Sequence, residues 1–443
     1  MLRSSLALLL LGASFQTGSA APPSAIAIRN ARIVTVSGAP IDHGVVVVRG
    51  GLIESVGAAV QIPPDAWTID GTNLTVYPGL INALSAWGLP PQPESSPPQR
   101  QPDQQQERRE PPPTQSGAPK TIGPEDRPFN TSWRRAEDLV QPAHPSIAAA
   151  RQAGFTTAVI FPSLGIFAGQ GAVMNLAGEK AGQMVVAAPA GLYLSVSTRG
   201  FTQFPGSLMG AIAYIRQIYL DAEHHRLVKA AYEKNPRGMR RPDYDRALEG
   251  VLESPRVLLP ASTRVEIDRM LRFAAELKQP AVLYGLHEGN RAVEKLAAAQ
   301  MPVLVNLKWP GRDPEADPEA KEPLRVLERW ESAPGVPAAL AKAGIRFAFY
   351  GAGDDKPEDL RKAVRKAVIA GLPTDQAIRA MTLSAAEIYG VADRLGSIEA
   401  GKIANLVVAD GDLFADNTKI KFVLVDGVKY EPAPVAEEGD KRQ

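Results

Sequence analysis

Chemistry in this chain has few places to come from. There is no cysteine, and the only imidazoles are His43, His144, His224, His225 and His287. Thiolate nucleophiles, thiolate metal sites and disulfides are therefore excluded, and any imidazole-built site must draw on those five. His287 and Glu288 follow an apolar run, Ala281 to Tyr284. The imidazole could act as acid or base and the carboxylate could orient a substrate amine. The same two residues also suit a loop-top histidine and an acid favoured at a helix start. Asp354 and Asp355 follow Arg346 to Tyr350; they could hold a cation or an amine, or cap the helix announced by Pro357. Asp221 and His225 stand at i, i+4 in a helical stretch and share a face, a spacing that serves zinc and surface ion pairs alike. Lys308 and Trp309, after Val303 to Leu307, could line a pocket, although the indole suits packing equally well. His43 in a turn and His144 beside prolines are not placed for chemistry.

Other chemistries find no support. Phe161 to Asn175, with Gly165, Gly169 and Gly171, reads as a glycine-rich loop without the lysine or spacing of a phosphate loop. No serine sits in a nucleophile-elbow frame, and no carboxylate pair stands at strand ends as glycosidase chemistry requires. The 49 basic and 48 acidic residues give a net charge of +1, which favours neither nucleic acid nor an anionic membrane surface.

The elements that must position these residues alternate. Past Ser146 to Ala153, which reads as a helix ended by Gly154, strands are expected at Thr156 to Phe161, Met184 to Ala188, Leu192 to Ser197, Val257 to Leu259, Pro280 to Tyr284, Val303 to Leu307 and Ile345 to Tyr350. Helices are expected between or after them at Ser207 to Glu233, Arg264 to Lys278, Arg291 to Ala299, Pro337 to Ala343 and Glu358 to Ile369. Strands alternating with helices indicate parallel βα units, an α/β fold. The first part of the chain, Ile26 to Val76, is instead all β in character, with a hairpin at Gly50-Gly51. Its strands are too few to enclose a core, and the missing partners stand at the other end, in Leu406 to Ala409 and Ile420 to Val428. Residues 90–130 are rich in Pro, Gln and charge, so they read as a disordered insert: a solvated tether, a lid or a partner-binding arm.

At the N-terminus, Arg3, the apolar Leu6 to Ala13 and the small residues Gly18 to Ala21 read as a signal peptide over 1–20. A membrane anchor or a buried helix is the alternative; Ala20-Ala21 before Pro22-Pro23 favours cleavage. The mature protein is then expected to be exported, periplasmic or secreted, with no membrane span. A tail over 433–443 is expected to be disordered.

Two runs tie these parts together. Pro78-Gly79-Leu80-Ile81-Asn82-Ala83-Leu84-Ser85-Ala86 resembles the first barrel strand of the amidohydrolase superfamily, PGLIDAHTH, and Leu395 to Asp410 resembles its LGSIEaGKxADLVV run. The likeness is to the imidazolonepropionase and dihydroorotase branch. It implies a (β/α)8 TIM-like barrel over 79–394, and a small composite β-sandwich built from 21–78 and 395–432. It further implies hydrolysis of non-peptide C–N bonds in cyclic amides, ureas or dipeptide-like substrates, with zinc or another divalent metal supplying hydroxide. A bound metal lowers the pKa of water from 15.7 to about 7. Leu84 and Ala86, however, stand at the two first-strand histidine positions, and Asn82 replaces the aspartate. An aliphatic side chain has no lone pair to give. No histidine follows the fifth strand, and the eighth-strand aspartate position falls on Ala352. No metal ligand and no cofactor is therefore assigned, and His287, Glu288 and Asp354 remain as catalytic candidates. Two functions follow: a hydrolase of that superfamily, or a non-catalytic protein binding a small molecule at the barrel mouth. A homo-oligomer is left open.

Overall fold

The computed structural model describes residues 25–90, 127–197, 204–313, 321–351 and 355–432, with 315, 317 and 319. The leader, most of the insert, Asp354 and the tail over 433–443 lie outside the described residues. The described residues resume at Arg127, before the expected end of the insert, and Asn130 is buried and bridged to Phe167.

Five strands open the described chain: β1 (Ala25–Ile33), β2 (Ile41–Arg49), β3 (Leu52–Gly57), β4 (Ala66–Asp70) and β5 (Thr75–Pro78). Eight follow: β6 (Leu80–Ser85), β7 (Phe155–Ile160), β8 (Phe167–Asn175), β9 (Val185–Leu194), β10 (Val257–Ala261), β11 (Ala281–Gly285), β12 (Val303–Asn306) and β13 (Phe347–Tyr350). The helices among and after them are α1 (Pro145–Gln152), α2 (Ala181–Met184), α3 (Leu208–Lys234), α4 (Arg246–Leu252), α5 (Arg264–Leu277), α6 (Val293–Ala299), α7 (Leu324–Ser332), α8 (Val336–Lys342), α9 (Pro357–Ile369), α10 (Thr374–Ala380) and α11 (Leu383–Tyr389). Strands β14 (Leu406–Ala409), β15 (Ile420–Val425) and β16 (Val428–Tyr430) close it.

The two ends of the chain share one sheet in the order β16-β15-β14-β5-β1-β2-β3, with β4 paired to the first half of β1. β2 and β3 meet at Gly50 and Gly51, whose φ of +57° and +82° suits glycine. Ile28, Ile33, Val46 and Ile53 from one end pack with Leu406, Val408, Phe422 and Leu424 from the other in a single core. Ile53 N donates to Lys402 O at 2.8 Å and Ala404 N to Gly51 O at 2.8 Å, which ties β3 at one edge of the sheet to the segment that leads into β14.

The remaining strands form a nearly closed barrel in chain order from β6 to β13, and Gly351 N donates to Asn82 Oδ1 at 3.2 Å where the last strand returns to the first. This α/β barrel plus sheet is the expected architecture, with one departure. β8 runs antiparallel to both β7 and β9. Only residues 161–166 separate β7 from β8, too short a link for the crossover that a parallel pair needs. The expected glycine-rich loop is thus largely strand β8. Its glycines serve packing: a Cβ on Gly171 would lie 2.3 Å from the Phe161 ring. The two strands expected at Met184 to Ala188 and Leu192 to Ser197 are one strand, β9, running through Pro189.

Candidate functional site at the barrel mouth

The barrel is filled by the inward residues of its own strands. Ile81, Ala83, Val159, Phe161, Leu258, Val282, Leu304, Ala348 and Tyr350 belong to one buried cluster with Ile388 and Tyr389 of α11. Rings link across it. Tyr193 stacks on Tyr284 at 5.1 Å between centroids, Phe161 lies 6.1 Å from Tyr193 and 6.3 Å from Tyr389, and Tyr350 meets Tyr284 edge-on at 6.3 Å. Tyr284 OH donates to Leu194 O at 2.9 Å and Tyr389 OH to Ala83 O at 2.6 Å. Burial pushes the phenols of Tyr193, Tyr284, Tyr350 and Tyr389 upward, so all four are neutral at physiological pH.

Leu84 is part of this apolar packing, and Ala86 packs against the neighbouring core. Ser262 and Thr263, after β10, serve the helix that follows: Thr263 caps α5, and both backbone amides donate to Glu266 Oε2. Among the described residues no three His, Asp or Glu side chains converge as a metal would require. Among the described residues the donor chemistry at this end of the barrel does not fit the divalent ion of the resemblance: hydrocarbon occupies the first-strand positions and one imidazole stands near the sixth.

That imidazole is His287, held in the turn after β11. Its Nε2 lies 3.3 Å from Asn306 O, and its ring is 6.3 Å from that of Trp309. A carbonyl only accepts, so Nε2 donates in this contact, and a backbone hydrogen bond to Lys308 also acts on the ring. Burial lowers the pKa of His287 and so favours the neutral ring, partly offset by its hydrogen bond to Asn306 O.

Glu288 does not join it. Its Oε2 accepts from Arg264 N at 2.8 Å, so the carboxylate caps the first turn of α5 instead of facing the mouth. Asp355 lies close enough to Tyr350 for its charge to help hold that phenol protonated. Asp354 is outside the described residues. Asp221 and His225 share a helix face but diverge. Asp221 accepts from Gln217 at 2.7 Å, whereas His225 Nε2 lies 3.2 Å from Glu249 Oε1, which also takes Lys229 at 2.8 Å. They pin α3 to its surroundings and build no metal site. His144 is the N-cap of α1, Trp309 Nε1 donates to Ala363 O at 2.9 Å, and Lys308 is exposed.

A cleft of about 940 Å³ opens beside the ends of β9, β10 and β11, between α3 and α5. Ser195, Pro260, Ser262 and Tyr284 line its barrel side, Ile212, Met270 and Phe273 its apolar walls, and Arg216 and Arg269 its charged rim. The residues give no local signal of it, since they come from three strands and two helices far apart in sequence.

Residues 333–430, from the end of α7 to β16, match the family model of the amidohydrolase family. An amidohydrolase from Thermotoga maritima MSB8 is 25% identical, with a TM-score of 0.73 over 92% of this chain and 100% of that one. A prolidase complexed with N-methylphosphonate-L-proline is 17% identical (TM-score 0.53, 92% and 99% covered), and molinate hydrolase is 15% identical (TM-score 0.52, 92% and 95% covered). No curated protein matches. In fold, and in sequence over residues 333–430, the chain is similar to the amidohydrolases.

Proposed function

We propose that this chain is an exported amidohydrolase-fold protein that captures a small amide or dipeptide-like molecule in the mouth cleft, without the metal-driven hydrolysis of its superfamily. One observation carries the reading: Leu84, at a position the resemblance gives to a metal-binding histidine, is buried in an interior already filled by Phe161, Tyr193, Tyr284, Tyr350 and Tyr389. Neutral phenols and hydrocarbon cannot replace an anionic or imidazole donor set. The cleft supplies what a binding site needs, apolar walls with a few polar groups. The prolidase and molinate hydrolase structures support the substrate class, and the leader-like N-terminus supports export.

One observation favours a second reading, metal-free hydrolysis. His287 is an imidazole near the mouth whose pKa burial lowers, which favours the neutral form that a general base needs. Against it, Glu288 is committed to α5. Isothermal titration with dipeptides and cyclic amides, run beside a hydrolysis assay with and without zinc, separates the two. Binding without turnover in either condition is expected. Zinc-dependent turnover, with near-stoichiometric metal, would overturn the proposal; zinc-independent turnover abolished in His287→Gln would establish the second reading.

A further inference from the structure

Helix α3 has 27 residues. Its inner face, Ala211, Tyr214, Ile215, Ile218 and Ala222, is buried. On its outer face Met209 is 84% exposed, Leu220 66% and Leu227 53%. At about 100° per residue these three fall within about 20° of one line along the helix. Exposed Ala213 and Ala231 run beside that line on one side, and Arg216 and Glu223 on the other. Single exposed apolar residues are ordinary, but an aligned stripe along one long helix is not.

We propose that α3 packs antiparallel against α3 of a second copy of this chain, about a two-fold axis at Leu220. In that arrangement Leu220 meets its own symmetry mate. Met209 faces Ala231 and Ala213 faces Leu227, so each large side chain meets a small one on both sides of the axis. Arg216 falls within one residue of Glu223 on the same flank, twice over. This would extend the pairs each already makes within its own copy, Arg216 with Glu276 and Glu223 with Arg226. A parallel pairing would set Arg216 on Arg216 and Glu223 on Glu223, and would match alanine with alanine. The stripe is therefore self-complementary in one direction only. Because Met209 and Arg216 line the mouth cleft, the second copy would overhang that cleft.

Sedimentation velocity of the mature chain tests this, with circular dichroism and thermal melting as folding controls. The wild type is expected to be a dimer. Leu220→Glu, which sets two like charges on the axis, should raise the dimer Kd by at least about a hundredfold while leaving the circular dichroism spectrum unchanged. The chain has no cysteine, which makes single-cysteine crosslinking clean. Leu220→Cys should form a disulfide-linked dimer under mild oxidant, and Leu227→Cys should not, because the antiparallel pair holds the two 227 positions about 21 Å apart along the axis. A monomer at every concentration, a dimer indifferent to Leu220→Glu, or crosslinking of Leu227→Cys as efficient as that of Leu220→Cys would each overturn the proposal.

Discussion

The seam between sheet and barrel and the barrel interior each hold a departure from the superfamily-like runs, and they resolve it in opposite ways. At the seam, Asn405 stands where that run commonly has aspartate. Its Nδ2 donates to Asn175 Oδ1 at 2.7 Å and Thr157 Oγ1 at 3.1 Å, and its Oδ1 accepts from Asp426 N at 2.9 Å. Asn175 Nδ2 donates in turn to Asp426 Oδ1 at 2.6 Å. A buried polar network of this kind is satisfied only by a residue that both donates and accepts, which asparagine does and carboxylate does not. In the barrel, Leu84 stands where the resembled run has histidine, and it joins the apolar packing. One region keeps its hydrogen bonds by exchanging a polar group, and the other dispenses with them.

The sharpest way to break this contrast is to put polarity back into the barrel. Leu84→His together with Ala86→His should bind no zinc by elemental analysis and should destabilise the fold by about 3 kcal/mol or more in denaturant titration, because an imidazole enters a packed apolar interior. Removing a ring is nearly as severe: Phe161→Ala should cost about 3–5 kcal/mol. At the seam, Asn405→Asp should cost about 1–3 kcal/mol, since the acceptors on Asn175 and Thr157 lose their donor and a second carboxylate joins Asp426.

Asp426 sharpens the comparison through pH. Burial raises its pKa, so its contribution to stability is complete below the unfolded carboxylate range and is lost as pH rises through the folded pKa. Asp426→Asn keeps the acceptor for Asn175 and should flatten that part of a stability-against-pH curve. His287 has the opposite sign, since its pKa is lowered: its contribution is present above the unfolded imidazole pKa and fades as pH falls through the folded one. The smallest effect is expected at Glu288→Gln, about 0.5–1 kcal/mol from a weakened α5 cap.

Much of this was legible in one dimension. The β-rich ends, the alternation of strands and helices, and the two superfamily-like runs lie in local pattern, and local pattern is what periodicity reports. The direction of β8 was not legible, because a strand with glycines at 169 and 171 reads as a loop until the Phe161 ring that needs the space is in view. Nor was the split of His287 from Glu288. Adjacent residues share a position in the chain, but the α5 amide that captures the carboxylate comes from Arg264, in the preceding βα unit.

By itself the sequence determined the inventory: no thiol, five imidazoles, hydrocarbon at positions 84 and 86, and a chain whose ends must pair. Those are facts of composition and order, and no folding can add a donor atom that the side chains lack. The tertiary structure decided what the inventory does. It gathered Phe161, just past β7, with rings from β9, β11, β13 and α11 into one interior, sent Glu288 to α5, and opened a cleft between α3 and α5. Such decisions depend on distances between residues remote in the chain, which burial and hydrogen-bond geometry set only once the whole barrel has closed.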